Sequence, residues 1–198
     1  TCFFVPRWRP DGSKNAIHIQ RLKDKVGNRS NSSSEVEFTD AWGVLIGDEG
    51  RGISTIIEMA TFTRLDCALS SAGFIRQAFT QALHYSRNRH AFGKALADQP
   101  LMTELLADMA LESEAATLLA MDLATHFGST TALDTAWRRV MTPVAKFWNC
   151  KRAVGLTGEA MEVFGGNGYV ETGPMGRLFR EAPVNSIWEG SGNVMCLD

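Results

Sequence analysis

The spacing of apolar positions changes once along the chain, at IGDEGRG, residues 46–52. Before this segment, short runs such as TCFFV, NAIHIQRL and SEVEFT are separated by glycine, proline and the SNSSS stretch, a pattern typical of strands. After it, apolar residues recur every three or four positions, which is typical of helices. The pattern therefore predicts strands over residues 1–45 and helices over residues 53–198, and no helix through residues 30–38.

Three long helices and the start of a fourth follow from this spacing. The first begins at about Ile53, the second spans residues 100–126 and the third spans residues 131–163. The fourth is expected to begin after Gly192. Long helices with short connections predict a four-helix bundle, so the fold class is mostly α, with a partial sheet in front of the bundle.

Composition and charge are those of an ordinary globular chain. Its 198 residues are 44% hydrophobic and 21% charged, enough for one core, or for one domain and part of another. The net charge of −2 hides seven lysines and arginines against two aspartates in residues 1–30. This basic excess is either a solvated face of strands or a contact surface for a polyanion. No apolar run approaches the roughly 18 residues of a membrane span.

The reactive residue types indicate neither a metal site nor a hydrolase. The four cysteines and four histidines lack metal-ligand spacing, and no serine lies in a GxSxG context. Scattered cysteines are typical of free thiols in a reducing compartment, so we expect a cytoplasmic protein, or a mitochondrial matrix protein in a eukaryote. Because the chain begins with TCFFVPRW, without Met or a signal segment, we expect it to be a C-terminal fragment of a longer protein.

Three segments supply candidate site residues. IWEGSGNV places Glu189 between Trp188 and Gly190, where its carboxylate either caps the following helix or acts as a base. FGGNGY, residues 164–169, either ends the third helix in a turn or lets its backbone approach a ligand. RNRHAFGKALADQP, residues 87–100, either caps a helix at its Phe-Gly pair or, through its concentrated basic side chains, binds a pyrophosphate, for which a guanidinium is well suited.

Taken in order, these segments resemble the acyl-CoA dehydrogenase family over nearly the whole chain. The resemblance is carried by TRLDCALSSAGFIRQAFTQALHYSRNRHAFGKAL, MEVFGGNGY and GRLFREAPVNSIWEGSGNV, while FGKALADQPLM and IWEGSGNVMCLD look most like its AidB-like branch. It implies a flavoprotein in which residues 1–50 are part of a middle antiparallel β-domain and residues 51–198 are the C-terminal four-helix bundle. The implied cofactor is FAD, and the implied substrate is an acyl-CoA thioester.

The resemblance gives Glu189 the position of the catalytic base, which removes the α-proton of the thioester while the β-hydrogen leaves as hydride to the flavin N5. A desolvated carboxylate beside Trp188 suits this task, because a thioester α-proton is very weakly acidic. Arg64 matches a supporting arginine close to the active site, and Gly190 keeps side chains away from the flavin. The residues that match flavin contacts of the family are Arg89, Phe92, Gly166, Ser191 and Asn193.

Several positions depart from the family pattern. Some members carry the base on the first helix, where this chain has Thr63, so Glu189 is the one candidate. Glu162 and Pro100 stand where glutamines are usual, with Gln99 one place earlier. Because a carboxylate repels a pyrophosphate, we expect the adenosine end of the flavin to be held differently here.

Two functions stay open. One is an FAD-dependent acyl-CoA dehydrogenase whose acyl chain length is not fixed by these residues. The other is an AidB-like, flavin-containing stress-response or regulatory protein that binds acyl-CoA or DNA with little turnover.

The second and third predicted helices carry more large apolar residues than one core easily absorbs. They are Met102, Met109, Met121, Trp137, Met141, Phe147 and Trp148. We therefore expect a subunit interface on these helices. The resemblance implies a homotetramer in which FGGNGY serves the flavin of a neighbouring subunit.

Overall fold

The computed structural model describes all 198 residues, and α-helix dominates it. Four strands come first: β1 Cys2–Phe4, β2 Ile17–Leu22, β3 Ser34–Phe38 and β4 Val44–Ile46. The helices are α1 Gly52–Asn88, α2 Pro100–Thr125, α3 Ala132–Val163, α4 Pro174–Asn185 and α5 Gly192–Leu197, and a hairpin of β5 His90–Ala91 and β6 Lys94–Ala95 joins α1 to α2. The predicted fold class, mostly helical with antiparallel strands in front, is confirmed.

The chain packs as two compact units, Thr1–Phe62 and Thr63–Asp198. In the first unit, β1 pairs with β4 and β2 pairs with β3, both antiparallel. The buried amide of Asn15 donates to the carbonyl oxygens of Pro6 at 2.8 Å and Trp42 at 2.7 Å and so ties the connecting loops together. The unit boundary lies inside α1, and the division at residue 50 stays a prediction about the domains of the whole protein.

Small residues dominate the helix contacts of the second unit. Alanines lie at the contacts of α1, α2, α3 and α4, where they let the helix backbones approach closely, and larger side chains such as Ile75, Met109 and Met175 fill the space between them. These buried positions recur at helical spacing, as the sequence predicts for α1, α2 and α3. None of the helices combines the length and the hydropathy that a membrane span requires.

The helix predicted after Gly192 is present as α5 and extends to the end of this sequence. The core also contains a further helix, α4, which the sequence analysis missed. Gly176 and Pro183 lower the helix propensity of this segment and obscure it. Burial of Met175 and Leu178 in the core outweighs that propensity.

Candidate functional site

The candidate base lies in a tight turn between α4 and α5. Glu189 and Gly190 have φ angles of 58° and 101°. This left-handed backbone costs a residue with a Cβ roughly 1–2 kcal/mol, so the conformation of Glu189 has to be maintained by its neighbours. The φ of Gly190 disfavours any residue with a Cβ, and a Cβ there would also lie 2.6 Å from the Met195 methyl group, at the end of a flexible side chain that would have to move.

Arg64 of α1 contacts the backbone of this turn. Its Nε donates to the Glu189 carbonyl oxygen at 3.0 Å, and its Nη1 contacts Asp198 Oδ2 at 2.5 Å. Arg139 contacts the other oxygen of Asp198 at 2.9 Å. Burial raises the pKa of Asp198, but the hydrogen bond from Arg64 and the charge of Arg139 outweigh burial and hold the pKa below its usual value. The arginine predicted as a supporting residue thus anchors the main chain of the candidate base.

The carboxylate of Glu189 is free within the chain. It accepts no hydrogen bond and forms no salt bridge, in contrast to the carbonyl oxygen of the same residue. The residue that precedes α5 as its N-cap is Ser191, and its hydroxyl makes no capping bond. The geometry therefore does not show the helix-capping role that the sequence left open for Glu189.

A cavity of about 310 Å³ opens beside this carboxylate. One wall is a face of α1, and the other is formed by the end of α4 and the turn after it; the lining residues are Thr63, Asp66, Cys67, Ser70, Asn185, Trp188 and Glu189. The Trp188 indole N–H donates to Asn185 Oδ1 at 3.2 Å, which fixes the ring against the cavity. The wall facing Trp188 is more polar than the apolar environment expected from the sequence.

Asp66 is a second carboxylate in this cavity, and the sequence analysis missed it. In the family pattern, some members carry the base at position 63 instead, and there the chain has threonine. Asp66 lies three residues further along α1, so the two side chains share one helix face. That spacing is the signal that could have revealed it.

Cys67 lies in the same wall and is neutral at physiological pH. Burial raises the pKa of its thiol to about 11, and the neighbouring Cys150 acts in the same direction. Burial also raises the pKa of Cys150, whose Sγ accepts a hydrogen bond from Ser71 Oγ at 3.3 Å. Both residues are therefore poor nucleophiles in the folded chain.

A second group of predicted residues surrounds the opposite end of α1. The β5–β6 hairpin turns through Phe92 and Gly93, whose φ angles are 53° and 85°. Positive φ at both central residues is typical of a two-residue hairpin turn. The Phe92 ring is 93% exposed, and the exposed guanidinium of Arg89 has no salt bridge within the chain.

The glycine-rich turn lies against this same end of α1. The Tyr85 ring stacks on Phe164 with a centroid distance of 4.3 Å. Asn167 Nδ2 donates to Tyr85 Oη at 3.3 Å. The hairpin residues and the FGGNGY segment therefore belong to one surface region.

Two glycines of this turn differ in whether packing within the chain requires them. A Cβ on Gly168 would lie 2.1 Å from the carbonyl oxygen of Met161, so packing within the chain requires that glycine. A Cβ on Gly166 would meet no atom within 4 Å. The space over the Gly166 backbone is open, and the fold of the chain does not explain why a glycine stands there.

The candidate residues thus fall into two groups. Glu189, Trp188, Gly190, Ser191 and Asn193 lie with Arg64 at one end of α1, whereas Arg89, Phe92 and Gly166 lie at the other end. The 24 residue steps from Arg64 to Asn88 correspond to roughly 36 Å of helix, at about 1.5 Å per residue. A single chain does not bring all the predicted cofactor residues to one place.

The positions that depart from the family pattern have local roles in the fold. Gln99 Nε2 donates to the Ala91 carbonyl oxygen at 3.1 Å and supports the hairpin. Pro100 is the first residue of α2, where a missing N–H costs nothing. Glu162 is exposed in the last turn of α3.

Comparison with known families is consistent with this architecture. The sequence model described as the acyl-CoA dehydrogenase C-terminal domain matches residues 50–198. The chain belongs to the acyl-CoA dehydrogenase family. It is 54% identical, over its whole length, to the putative acyl-CoA dehydrogenase AidB of Escherichia coli K12, of which it covers 37%. Identity with acyl-CoA dehydrogenase family member 11 of Caenorhabditis elegans is 35%, over 94% of this chain and 31% of that protein.

Solved structures of this family have the same fold. The crystal structure of Caenorhabditis elegans ACDH-11 in complex with C11-CoA superposes with a TM-score of 0.93 at 34% identity, over 98% of this chain and 34% of that one. Butyryl-CoA dehydrogenase from Megasphaera elsdenii gives a TM-score of 0.83 at 29% identity, over 92% of this chain and 47% of that one. The predicted family and its AidB-like branch are confirmed, and the chain spans about a third of the length of the first two relatives.

Proposed function

We propose that the full-length protein is an FAD-dependent acyl-CoA dehydrogenase in which Glu189 removes the α-proton of an acyl-CoA thioester. The observation that carries this proposal is the free carboxylate of Glu189 at a cavity of about 310 Å³. A carboxylate whose lone pairs are not taken by donors of its own chain is available to accept a proton from a bound substrate. Acyl-CoA dehydrogenases are FAD-dependent oxidoreductases, and family membership is consistent with this chemistry.

The neighbours of Glu189 have separate tasks in this proposal. Arg64 fixes the main chain of the base, and Gly190 allows the turn that presents the carboxylate. Trp188, held by Asn185, lines the cavity beside the base, where a bound substrate would complete the exclusion of water. Exclusion of water strengthens the electrostatic interactions that stabilise charge developing on the thioester.

The residues that would hold FAD fit that cofactor by their chemistry. Arg89 offers an unpaired guanidinium for the pyrophosphate, Phe92 an exposed ring, and Gly166 an open stretch of backbone. Ser191 and Asn193 offer exposed polar side chains next to the base. When bound, FAD accepts the hydride that leaves the β-carbon of the substrate.

The separation of roughly 36 Å between the two groups favours a site shared by two subunits. In this arrangement, Arg89, Phe92 and Gly166 of one subunit and Ser191 and Asn193 of another hold the same flavin. We therefore propose a homo-oligomer, and a homotetramer by resemblance to the family.

An apolar stripe on α3 supports this assembly. Trp137, Val140, Val144 and Trp148 recur on one face of the helix, and each is at least 40% exposed. Light scattering of the full-length protein tests the assembly, and a monomer at micromolar concentration would contradict it.

The function is tested by replacing each carboxylate of the cavity with its amide in the full-length flavoprotein. Glu189→Gln is nearly isosteric and should keep the flavin, yet reduce the rate of flavin bleaching by acyl-CoA by about 10²- to 10⁴-fold, as expected for loss of a general base. Asp66→Asn is the matched control in the same cavity, and we expect it to retain bleaching within about tenfold of wild type. The opposite pattern would transfer the base role to Asp66.

The regulatory alternative predicts a different result in this experiment. A wild-type protein that holds FAD but is bleached by no member of an acyl-CoA panel would favour a binding role over turnover. The DNA-binding form of this alternative rests on the resemblance to the AidB-like branch and on the basic excess in residues 1–30.

A further inference from the structure

Lys146 of α3 is the largest fully buried side chain of the protein, with 1% of its surface exposed. Burial of an ammonium group costs several kcal/mol unless hydrogen bonds compensate. Burial accordingly lowers the pKa of Lys146 below its usual value. No carboxylate forms a salt bridge with it; its hydrogen bonds go to backbone oxygens, and the charge of Glu189 also favours the ammonium.

Both hydrogen bonds of this ammonium end on the segment that carries Glu189. Lys146 Nζ donates to the Gly190 carbonyl oxygen at 2.6 Å and to the Asn185 carbonyl oxygen at 3.1 Å. Asn185 is the last residue of α4, where carbonyl oxygens lack partners within the helix and favour a nearby cation. Gly190 directly follows Glu189, so the two bonds lie on either side of the candidate base.

Arg64 completes this arrangement, because it binds the carbonyl oxygen of Glu189. Two cations from different helices therefore hold three carbonyl oxygens within six residues. The Glu189 backbone lies in the left-handed region between these contacts. The ammonium supplies the neighbouring support that such a backbone requires.

A purely structural role does not account for a charge at this position. An apolar side chain of the same length would fill the volume of Lys146 without the cost of desolvation. The chain instead buries a cation whose hydrogen bonds both reach residues 185–190 and no other element.

We propose that Lys146 is a positioning residue for the candidate base: it holds the 185–190 turn so that the Glu189 carboxylate stays directed at the cavity. This inference rests on the proposed function of Glu189. Lys146 touches neither substrate nor cofactor in this role, and it acts through the main chain of the turn.

The test uses Lys146→Met in the full-length flavoprotein, which keeps an unbranched side chain only one atom shorter and removes the ammonium. We expect kcat for acyl-CoA to fall by about 10- to 100-fold, because a displacement of about 1 Å at a reacting group costs up to about 10²-fold. KM and flavin content should change by less than about threefold, since neither binding surface is altered. Backbone amides of residues 186–191 should exchange their hydrogens at least about tenfold faster.

Thr157→Val is the matched control. Thr157 is also buried on α3, but its hydroxyl donates only to carbonyl oxygens of its own helix, at 2.8 and 3.1 Å. We expect this variant to keep kcat and the exchange rates of residues 186–191. Its melting temperature shows how much a buried polar deletion on α3 costs by itself.

Each failure has a separate meaning. If no acyl-CoA bleaches the wild type, the proposed function fails, while the exchange rates still show whether Lys146 holds the turn. If the wild type is active and Lys146→Met keeps both kcat and slow exchange, the positioning role is overturned. A loss of kcat in proportion to lost flavin also overturns it.

Lys146→Gln keeps the test decisive if the methionine variant does not fold. The shorter amide reaches at most one of the two carbonyl oxygens, so we expect the same pattern with a smaller loss of kcat. A folded Lys146→Gln protein with wild-type kcat and unchanged exchange at residues 186–191 would overturn the proposal.

Discussion

The two ends of α1 present candidate site residues in opposite ways. At the Glu189 end, the turn is held within the chain by Arg64 and Lys146, and Trp188 is fixed by Asn185. At the hairpin end, the side chains that match flavin contacts are exposed and have no partners in the chain. The turn at the first end is held by contacts within the chain, whereas the side chains of Arg89 and Phe92 at the second end have no such contacts.

Backbone conformation also distinguishes the two ends of α1. Four residues other than glycine have a positive φ, and two of them, Phe92 and Glu189, are candidate site residues. Strained backbone of this kind persists where surrounding structure enforces it. Glu189 has that structure around it, whereas Phe92 lies at a hairpin tip with its ring in solvent. The hairpin turn explains the backbone of Phe92, and a bound flavin, as proposed above, would cover its ring.

The largest expected difference between the two ends concerns access to solvent. Cys67 lies in the cavity wall at the Glu189 end, and its pKa of about 11 reduces its thiolate fraction about 10²-fold relative to the ordinary value of 9.0. We therefore predict that iodoacetamide labels Cys67 at least about 10²-fold more slowly in the folded full-length protein than in denaturant, as measured by peptide mass spectrometry. Labelling of Cys67 at the rate of an exposed thiol would show that this end is open.

The same shift predicts how stability depends on pH. Between pH 9.0 and about 11 the unfolded chain releases the Cys67 proton while the folded chain keeps it. The unfolded state then binds fewer protons than the folded state, so the free energy of unfolding falls as the pH rises through this interval. Urea titrations of wild type and Cys67→Ala at pH 8.5 and 10.5 measure this effect, and an equal fall in both proteins would assign it to other groups.

The next prediction concerns the open end. Arg89→Gln in the full-length protein should weaken FAD binding by about tenfold or more, because a charge-assisted bond to a pyrophosphate is lost. Arg87→Gln is the matched control, since Arg87 is also exposed and lies two residues earlier at the end of α1. Flavin content after gel filtration measures both variants. Equal retention by both would contradict a cofactor role for Arg89.

Oligomers that combine two different variant subunits test whether the flavin site is shared between subunits. If one flavin site uses Arg89 of one subunit and Glu189 of another, a mixed dimer of the Arg89→Gln and Glu189→Gln chains carries one doubly altered site and one intact site. Random equal mixing should then restore about a quarter of the wild-type sites, because half of the dimers are mixed. No recovery of acyl-CoA-dependent bleaching after co-expression would place both residues in the same subunit's site.

The comparison also shows which parts of the fold the sequence predicts. The long helices α1, α2 and α3 follow from apolar spacing sustained over 26 residues or more in each. Helix α4 has only 12 residues and contains Gly176 and Pro183, so its propensity is weak and burial in the core stabilises it. Tertiary burial of this kind leaves little signal in a single short segment.

The residues of the candidate site also differ in how far the sequence predicts them. Glu189, Trp188 and Gly190 are neighbours in sequence, so one motif points to all three. Lys146 lies 43 residues before Glu189, in a helix whose pattern gives no sign that a lysine is buried, and only the fold brings it to the turn. The place of Asp66 in the cavity could be inferred from its spacing along α1, whereas the place of Lys146 could not.

The smallest expected effects come from adding one methyl group at each end. Gly190→Ala places a Cβ 2.6 Å from the Met195 methyl group at a φ of 101°. We predict that it lowers the free energy of unfolding by about 1–3 kcal/mol and reduces kcat, because the turn of Glu189 has to shift. Gly166→Ala meets no atom within 4 Å, so stability should stay within about 0.5 kcal/mol of wild type while FAD binding weakens several-fold. Chemical denaturation and flavin retention of the two full-length variants separate these outcomes. Equal destabilisation by both substitutions, with no loss of flavin from Gly166→Ala, would contradict the comparison. It would mean that contacts within the chain, and not a bound flavin, require the glycine at position 166.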